Sequence, residues 1–125
     1  MKPPTYKEIH SAKLALEGLL ASKLLRSSSV EVFLATLPSE TEFEFTGETR
    51  LEELTSDLLG YLSSAVEYLR GMLTGVSLDR MATEMATHLG ALLRASLAFD
   101  DLPVDMRAEY QTLLAYCPAS ETTLA

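Results

Sequence analysis

Residues 49–76, TRLEELTSDLLGYLSSAVEYLRGMLTGV, decide the fold class. Thr49 and Glu52 form a capping-box pattern, which predicts where a helix begins. Apolar side chains then recur every three or four residues, at Leu51, Leu54, Leu58, Leu62, Ala65, Leu69, Met72 and Val76. This spacing places them on one face of a helix of about seven turns. The sequence therefore predicts a long amphipathic helix whose apolar face lies in a protein core.

A second helix is predicted directly after this one. Gly75 is a suitable helix terminator and Ser77 a suitable N-cap, and Val76 is placed to contact Met81 across the new N-terminus. The apolar face of this helix comprises Leu78, Met81, Met85, Leu89, Leu92, Ala95 and Phe99. Because the connection is so short, we expect the two helices to be antiparallel neighbours in an αα-hairpin.

Small residues recur every four positions on both predicted helices. They are Ser56, Gly60 and Ser64 on the first helix, and Ala82, Ala86 and Gly90 on the second. If the two stripes face each other, the helix backbones approach closely, since the side chains at a contact set the distance between axes. On this hypothesis Gly90→Leu damages the fold.

The N-terminal part of the chain predicts two more helices. Thr5 and Glu8 form a capping box in front of a helix over residues 6–26. Ser28 and Glu31 form another in front of a short helix over residues 30–37. An alternative stays open, because the alternating pattern of residues 41–45 also suits a strand paired with residues 30–32.

Prolines delimit the last predicted helix. Pro103 suits a first helical turn and Pro118 stops the pattern. The predicted fold class is all-α: a small bundle of four main helices plus one short helix, with a central antiparallel αα-hairpin. We expect a single domain over residues 1–118 and a flexible C-terminal tail over residues 119–125.

The amino-acid composition limits the classes of protein to which this chain is expected to belong. The chain has 125 residues, 47% of them hydrophobic, and a formal net charge of −8. No apolar run is long enough for a membrane span or a secretory signal, and the single cysteine, Cys117, suits a reducing compartment. We therefore expect a cytoplasmic protein with no membrane partner. The negative charge argues against direct binding of nucleic acid.

Carboxylates are concentrated between residues 40 and 57. Seven lie there, with Arg50 as the one cation, and Phe43 and Phe45 alternate with two of them, Glu42 and Glu44. Such a block attracts a basic partner, while the two aromatic side chains offer apolar anchors. The predicted partner-binding residues are Glu40, Glu42, Phe43, Glu44, Phe45, Glu48, Glu53 and Asp57. We expect Glu52 to serve the helix cap instead, and residues 40–48 to form a connector.

Motifs for catalysis or cofactor binding are missing from the sequence. Glu84 and His88 are four residues apart, whereas di-iron bundles carry Glu-x-x-His pairs on two helices. Cys117 stands at a predicted helix C-terminus, where the dipole raises a thiol pKa. No glycine-rich phosphate loop occurs. We therefore expect no enzyme activity, no metal site and no cofactor.

One short motif offers a different function. His88-Leu89-Gly90 loosely resembles the motif of histidine phosphotransfer domains, which are acidic four-helix bundles of about this length. The lysine that usually follows the histidine in those domains is absent here. The resemblance implies phosphotransfer through His88, whereas a boundary histidine paired with Glu84 is the structural interpretation.

Three functional hypotheses result. The first is a non-enzymatic acidic helical protein-interaction module, an inhibitor, adaptor or chaperone that binds a partner protein with a basic surface; nucleic-acid mimicry is one form of it. The second is a histidine phosphotransfer-like domain that uses His88. The third is a structural subunit of a homo-oligomer, of which a homodimer is the simplest case.

Overall fold

Helices are the regular elements of the described chain. The structure is a computed structural model; it describes residues 3–73 and 80–117, except the side chains of residues 73 and 80–82. In chain order the helices are α1 (Tyr6–Ala21), α2 (Ser28–Ala35), α3 (Glu40–Phe43), α4 (Glu48–Leu73), α5 (Arg80–Leu97) and α6 (Val104–Leu114). The all-α class is confirmed for these residues, with α3 as one short helix more than predicted. Strand pairing of residues 30–32 with 41–45 was the wrong alternative.

Among the described residues, helix α5 makes the most extensive contacts with other helices. It packs against α1, α4 and α6, and α1 in turn packs against α4 and α2. The predicted apolar stripe of α4 is buried at Leu54, Leu58, Leu62, Ala65 and Leu69. Each such leucine contributes about 1.5–3 kcal/mol through its removal from water. The spacing of these side chains thus predicted correctly which face of α4 enters the core.

Several predicted features lie outside the described residues. These are the terminator Gly75, the cap Ser77, the contact of Val76 with Met81, and the tail over residues 119–125. Within the described chain, α4 reaches Leu73 and α5 is present from Arg80.

The first helix begins as predicted and ends five residues early. Glu8 N donates to Thr5 Oγ1 at 3.2 Å and Thr5 N donates to the Glu8 carboxylate at 2.9 Å, which completes the capping box. Lys23 then adopts a φ of 64° and donates its N–H to Leu20 O. This left-handed residue turns the chain away, so the predicted continuation to residue 26 is wrong.

Lys23→Gly is expected to stabilise the protein by about 0.5–1 kcal/mol. A side chain with a Cβ is disfavoured in the left-handed region, whereas glycine adopts it freely. Lys23 is exposed, so the substitution removes no core packing. Urea denaturation measures the change, with Lys23→Ala as the control because it shortens the side chain and keeps the Cβ. An equal stability of the glycine and alanine variants would contradict the role assigned to the backbone.

Two of the predicted N-caps are displaced. Ser27, not Ser28, caps α2, because its hydroxyl accepts from Val30 N at 3.3 Å. Helix α4 begins at Glu48, because Gly47 O accepts from Leu51 N at 2.9 Å. The predicted capping box of Thr49 with Glu52 is therefore wrong: Thr49 already lies inside the first turn.

The prediction that the small-residue stripes face each other is also wrong. Ser56, Gly60 and Ser64 are exposed on the outer face of α4, and a Cβ placed on Gly60 would meet none of the described residues within 4 Å. Gly90 is buried on α5, but a Cβ there would lie 3.2 Å from Cys117 Cβ. The close neighbour of Gly90 is thus the chain after α6, since the core face of α4 carries leucine instead.

Candidate protein-interaction site

The carboxylates of residues 40–57 form an exposed acidic surface. We name this surface, which spans α3 and the first half of α4, the acidic face; its carboxylates are Glu40, Glu42, Glu44, Glu48, Glu52, Glu53 and Asp57. All seven side chains are exposed. Residues 40–43 form a helical turn rather than part of an irregular connector, so that prediction was wrong.

Two of these carboxylates have partners within the chain. Ser39 N donates to Glu42 Oε1 at 2.9 Å, which makes Glu42 part of the capping box of α3. Arg50 forms an ion pair with Glu53 at 3.3 Å. Such an exposed pair is worth less than about 1 kcal/mol and leaves both charges accessible. The capping role that was predicted for Glu52 on α4 is therefore not observed there. Glu42 has a capping role, at the start of α3.

Helix termini account for part of the remaining charge. Glu40 and Glu48 lie in the first turns of α3 and α4, where a negative charge complements the positive end of the helix dipole. Glu44, Glu52 and Asp57 lie outside these first turns and form no ion pair with a described residue. These three carboxylates therefore show neither a position in a first helical turn nor an ion pair with a described residue.

The two phenylalanines of the acidic face have different environments. Phe43 is half-buried and packs against the core and Tyr6, with ring centroids 5.9 Å apart in an edge-to-face arrangement. Phe45 is 84% exposed. Because Phe43 already has contacts within the chain, Phe45 is the aromatic side chain available as an apolar anchor.

A groove runs beside the acidic face, between α2 and α4. Phe33 and Tyr61 stack across it with ring centroids 4.6 Å apart and an angle of 29° between the rings. It comprises two shallow depressions that share Phe33 and Tyr61; residues 28, 29 and 32 line the one on the α2 side, and residues 56, 57, 60 and 64 line the one on the α4 side. We name it the α2–α4 groove. The sequence shows its small residues, but their spacing alone did not reveal that they face outward.

His88 packs against α1. A Cβ placed on Gly18 would lie 3.5 Å from both Nδ1 and Cε1 of His88, and the histidine is half-buried. This contact packs the Nδ1–Cε1 edge of the ring against α1. It does not favour phosphotransfer over the interaction hypothesis. Phosphotransfer through His88 stays an untested prediction.

The environment of Cys117 is that of a packed side chain. Burial raises the pKa of the thiol, and the positive charge of Arg94 opposes this change. Cys117 Sγ lies 3.6 Å from Leu113 O, in the geometry of a weak hydrogen bond. A raised pKa leaves little thiolate at neutral pH, which is unfavourable for a nucleophile.

In residues 3–73 and 80–117, no group of three His, Cys, Asp or Glu side chains is arranged to hold a metal ion. The helices of the same ranges include none that combines the length and apolar character needed to cross a membrane.

Comparison with protein-family models, with curated proteins and with solved structures finds no match. The acidic face, Phe45 and the α2–α4 groove are therefore the features from which a function is inferred.

Proposed function

We propose that the protein is a non-enzymatic interaction module whose acidic face binds a basic surface of a partner protein. Its role would be that of an inhibitor, adaptor or chaperone, and mimicry of nucleic acid is one form of it. The observation that carries the proposal is the exposure of all seven carboxylates between residues 40 and 57, beside an aromatic side chain that is 84% exposed at Phe45.

The charge and the apolar anchor have separate roles. Unpaired carboxylates accelerate encounter with a basic partner and suppress binding of acidic ones. A large apolar side chain that becomes buried supplies binding energy. Salt weakens the first contribution, since charges more than about 8 Å apart are screened at physiological ionic strength.

The proposal includes the finer points of the architecture. We infer that α4 and α5, which pack against each other, form the central antiparallel αα-hairpin of a helical bundle. We also propose that the protein acts in the cytoplasm, since its single cysteine suits a reducing compartment.

The double variant Glu44→Lys/Glu52→Lys is expected to weaken binding of a basic probe by about tenfold or more at low salt. The probe is a fluorescein-labelled oligolysine peptide, and its anisotropy is measured at low and at physiological ionic strength. Both carboxylates are exposed and lie outside the capping boxes observed at Thr5 and Ser39. Added salt is expected to bring the affinities of wild type and variant together.

Glu17→Lys/Glu84→Lys is the matched control. Both side chains are exposed, both lie outside the acidic face, and the net charge changes by the same amount. The control is expected to bind the probe more tightly than the double variant of the acidic face. Equal affinity of the two charge-reversed proteins would mean that net charge alone attracts the probe, and the proposed site would be wrong.

A further inference from the structure

We propose that the α2–α4 groove receives an amphipathic helix of the basic partner, with the cationic end of that helix on the acidic face. This inference rests on the proposed function and specifies what the partner presents. The groove adds a second, apolar contact surface. It includes the small-residue stripe of α4, which was expected from the sequence to face the next helix.

The base of the groove is aromatic. Phe33 and Tyr61 are each only half-buried, so their stacked rings still expose apolar area to solvent. Val32, on the α2 side, is 66% exposed. Helix α2 packs on α1, and the stack between Phe33 and Tyr61 links it to α4. The space above the stack is therefore bordered by two helices, as in grooves that bind helical segments.

Small residues line much of the α4 side of the groove. Ser56, Gly60 and Ser64 recur on successive turns, and no atom of residues 3–73 or 80–117 lies within 4 Å of a Cβ built at Gly60. Because side chains at the contact set the separation of two helix axes, this side allows a second helix to approach closely. An extended loop would not need such a stripe.

Charge complementarity selects the partner. Asp57 lines the groove itself, and Glu53 precedes it by one turn of α4 on the exposed surface. A helix with apolar side chains in its middle and Lys or Arg at one end would contact the aromatic stack and these carboxylates together. A second copy of this chain fits less well, because the formal net charge of −8 opposes close approach of two acidic faces.

Gly60→Gln tests the groove without a change in charge. Glutamine is a good helix former, and a Cβ at this position meets no atom of the described residues within 4 Å, so the variant is expected to fold at least as stably as the wild type. The long side chain occupies the groove. Gly71→Gln is the matched control, because Gly71 is an exposed glycine of the same helix outside the groove, and a Cβ there also meets no atom of the described residues within 4 Å.

Two synthetic peptides serve as probes, and their affinities are measured by titration calorimetry. One is an amphipathic helical peptide of leucine, lysine and alanine; the other has the same composition with the helical periodicity scrambled. We expect the wild type and Gly71→Gln to bind the amphipathic peptide about tenfold more tightly than the scrambled one. We expect Gly60→Gln to bind both peptides equally, at the affinity of the scrambled one.

Each of the other outcomes would contradict the inference, and each shows whether the groove, the acidic face or the proposed occupant is wrong. If Gly60→Gln binds the amphipathic peptide as tightly as the wild type, the groove is not the binding site, while the acidic face stands if Glu44→Lys/Glu52→Lys still weakens oligolysine binding. If neither basic peptide binds the wild type, the proposed function fails as well. If light scattering shows a wild-type dimer that Gly60→Gln dissociates, a second copy occupies the groove.

Discussion

Tyr110→Ala is expected to lower the free energy of unfolding by about 3–5 kcal/mol, the range measured when large aromatic core residues are truncated. Tyr110 lies on α6, is 1% exposed and belongs to the single core cluster that joins the helices. Truncation of the tyrosine side chain leaves a cavity in the core, which the surrounding residues fill only in part. Because small domains have total stabilities of about 5–15 kcal/mol, the variant is expected to approach the limit of folding.

Tyr110→Phe separates packing from the hydroxyl group. The hydroxyl is buried without a hydrogen-bond partner within the described chain, and an unpaired buried polar group costs about 1–3 kcal/mol. The phenylalanine variant keeps the ring and is expected to be as stable as the wild type or more so at neutral pH. Chemical denaturation of the two variants measures both effects. A loss in Tyr110→Phe as large as in Tyr110→Ala would contradict this account.

The same pair predicts a pH dependence. Burial raises the pKa of Tyr110, and the negative charges of Glu67 and Glu109 raise it further. The folded state therefore keeps the phenolic proton at a pH where the unfolded state loses it. The stabilisation is complete below the ordinary tyrosine pKa of about 10 and is lost as the pH rises from there through the folded-state pKa. Tyr110→Phe is expected to lose less stability than the wild type between about pH 10 and pH 11.

Arg107→Ala is expected to cost about 2–3 kcal/mol of stability. The Arg107 guanidinium donates to two backbone carbonyls at the end of α5, Leu97 O at 2.9 Å and Phe99 O. Carbonyls at a helix C-terminus lack partners within the helix, and a cation there also complements the helix dipole. Hydrogen bonds that involve a charged group contribute about 1.5–3 kcal/mol each, although two from one side chain are not additive.

Arg107→Lys is the control for the fork geometry of the guanidinium. Lysine keeps the positive charge but cannot present two parallel donors, so we expect a stability between those of Arg107→Ala and the wild type. Urea denaturation gives the stabilities, and amide hydrogen exchange reports the turn closed by Leu102 N and Phe99 O. Wild-type stability of Arg107→Ala would show that water replaces both hydrogen bonds at no cost.

Some features of the acidic face follow from the local sequence, and others depend on tertiary contacts. Carboxylate density between residues 40 and 57 was evident from the sequence, and the exposure of all seven side chains agrees with a solvated surface. The distinction between Phe43 and Phe45 was not evident, because both alternate with glutamates in the same way. The contacts of Phe43 with Tyr6 of α1 and with the core show that this side chain is already packed.

Local rules were accurate where neighbouring residues supply all the contacts. The capping box of Thr5 with Glu8 spans three residues, and the apolar stripe of α4 follows from helical periodicity. They failed for the end of α1, where Lys23 adopts a conformation that glycine or asparagine usually provides. They also failed for the start of α4, where Gly47 ends the non-helical segment before Thr49 is reached.

The sequence by itself determined the helices other than α3, their core-facing apolar side chains and the acidic charge, because helical periodicity, capping and composition act over a few residues. The tertiary structure decided which helix each outer face meets. It placed Gly90 against Cys117, set Arg107 on the end of α5, and left Gly60 beside the aromatic pair of the α2–α4 groove. The physical reason is that these contacts join residues far apart in the chain, and local spacing carries no information about the distance between them.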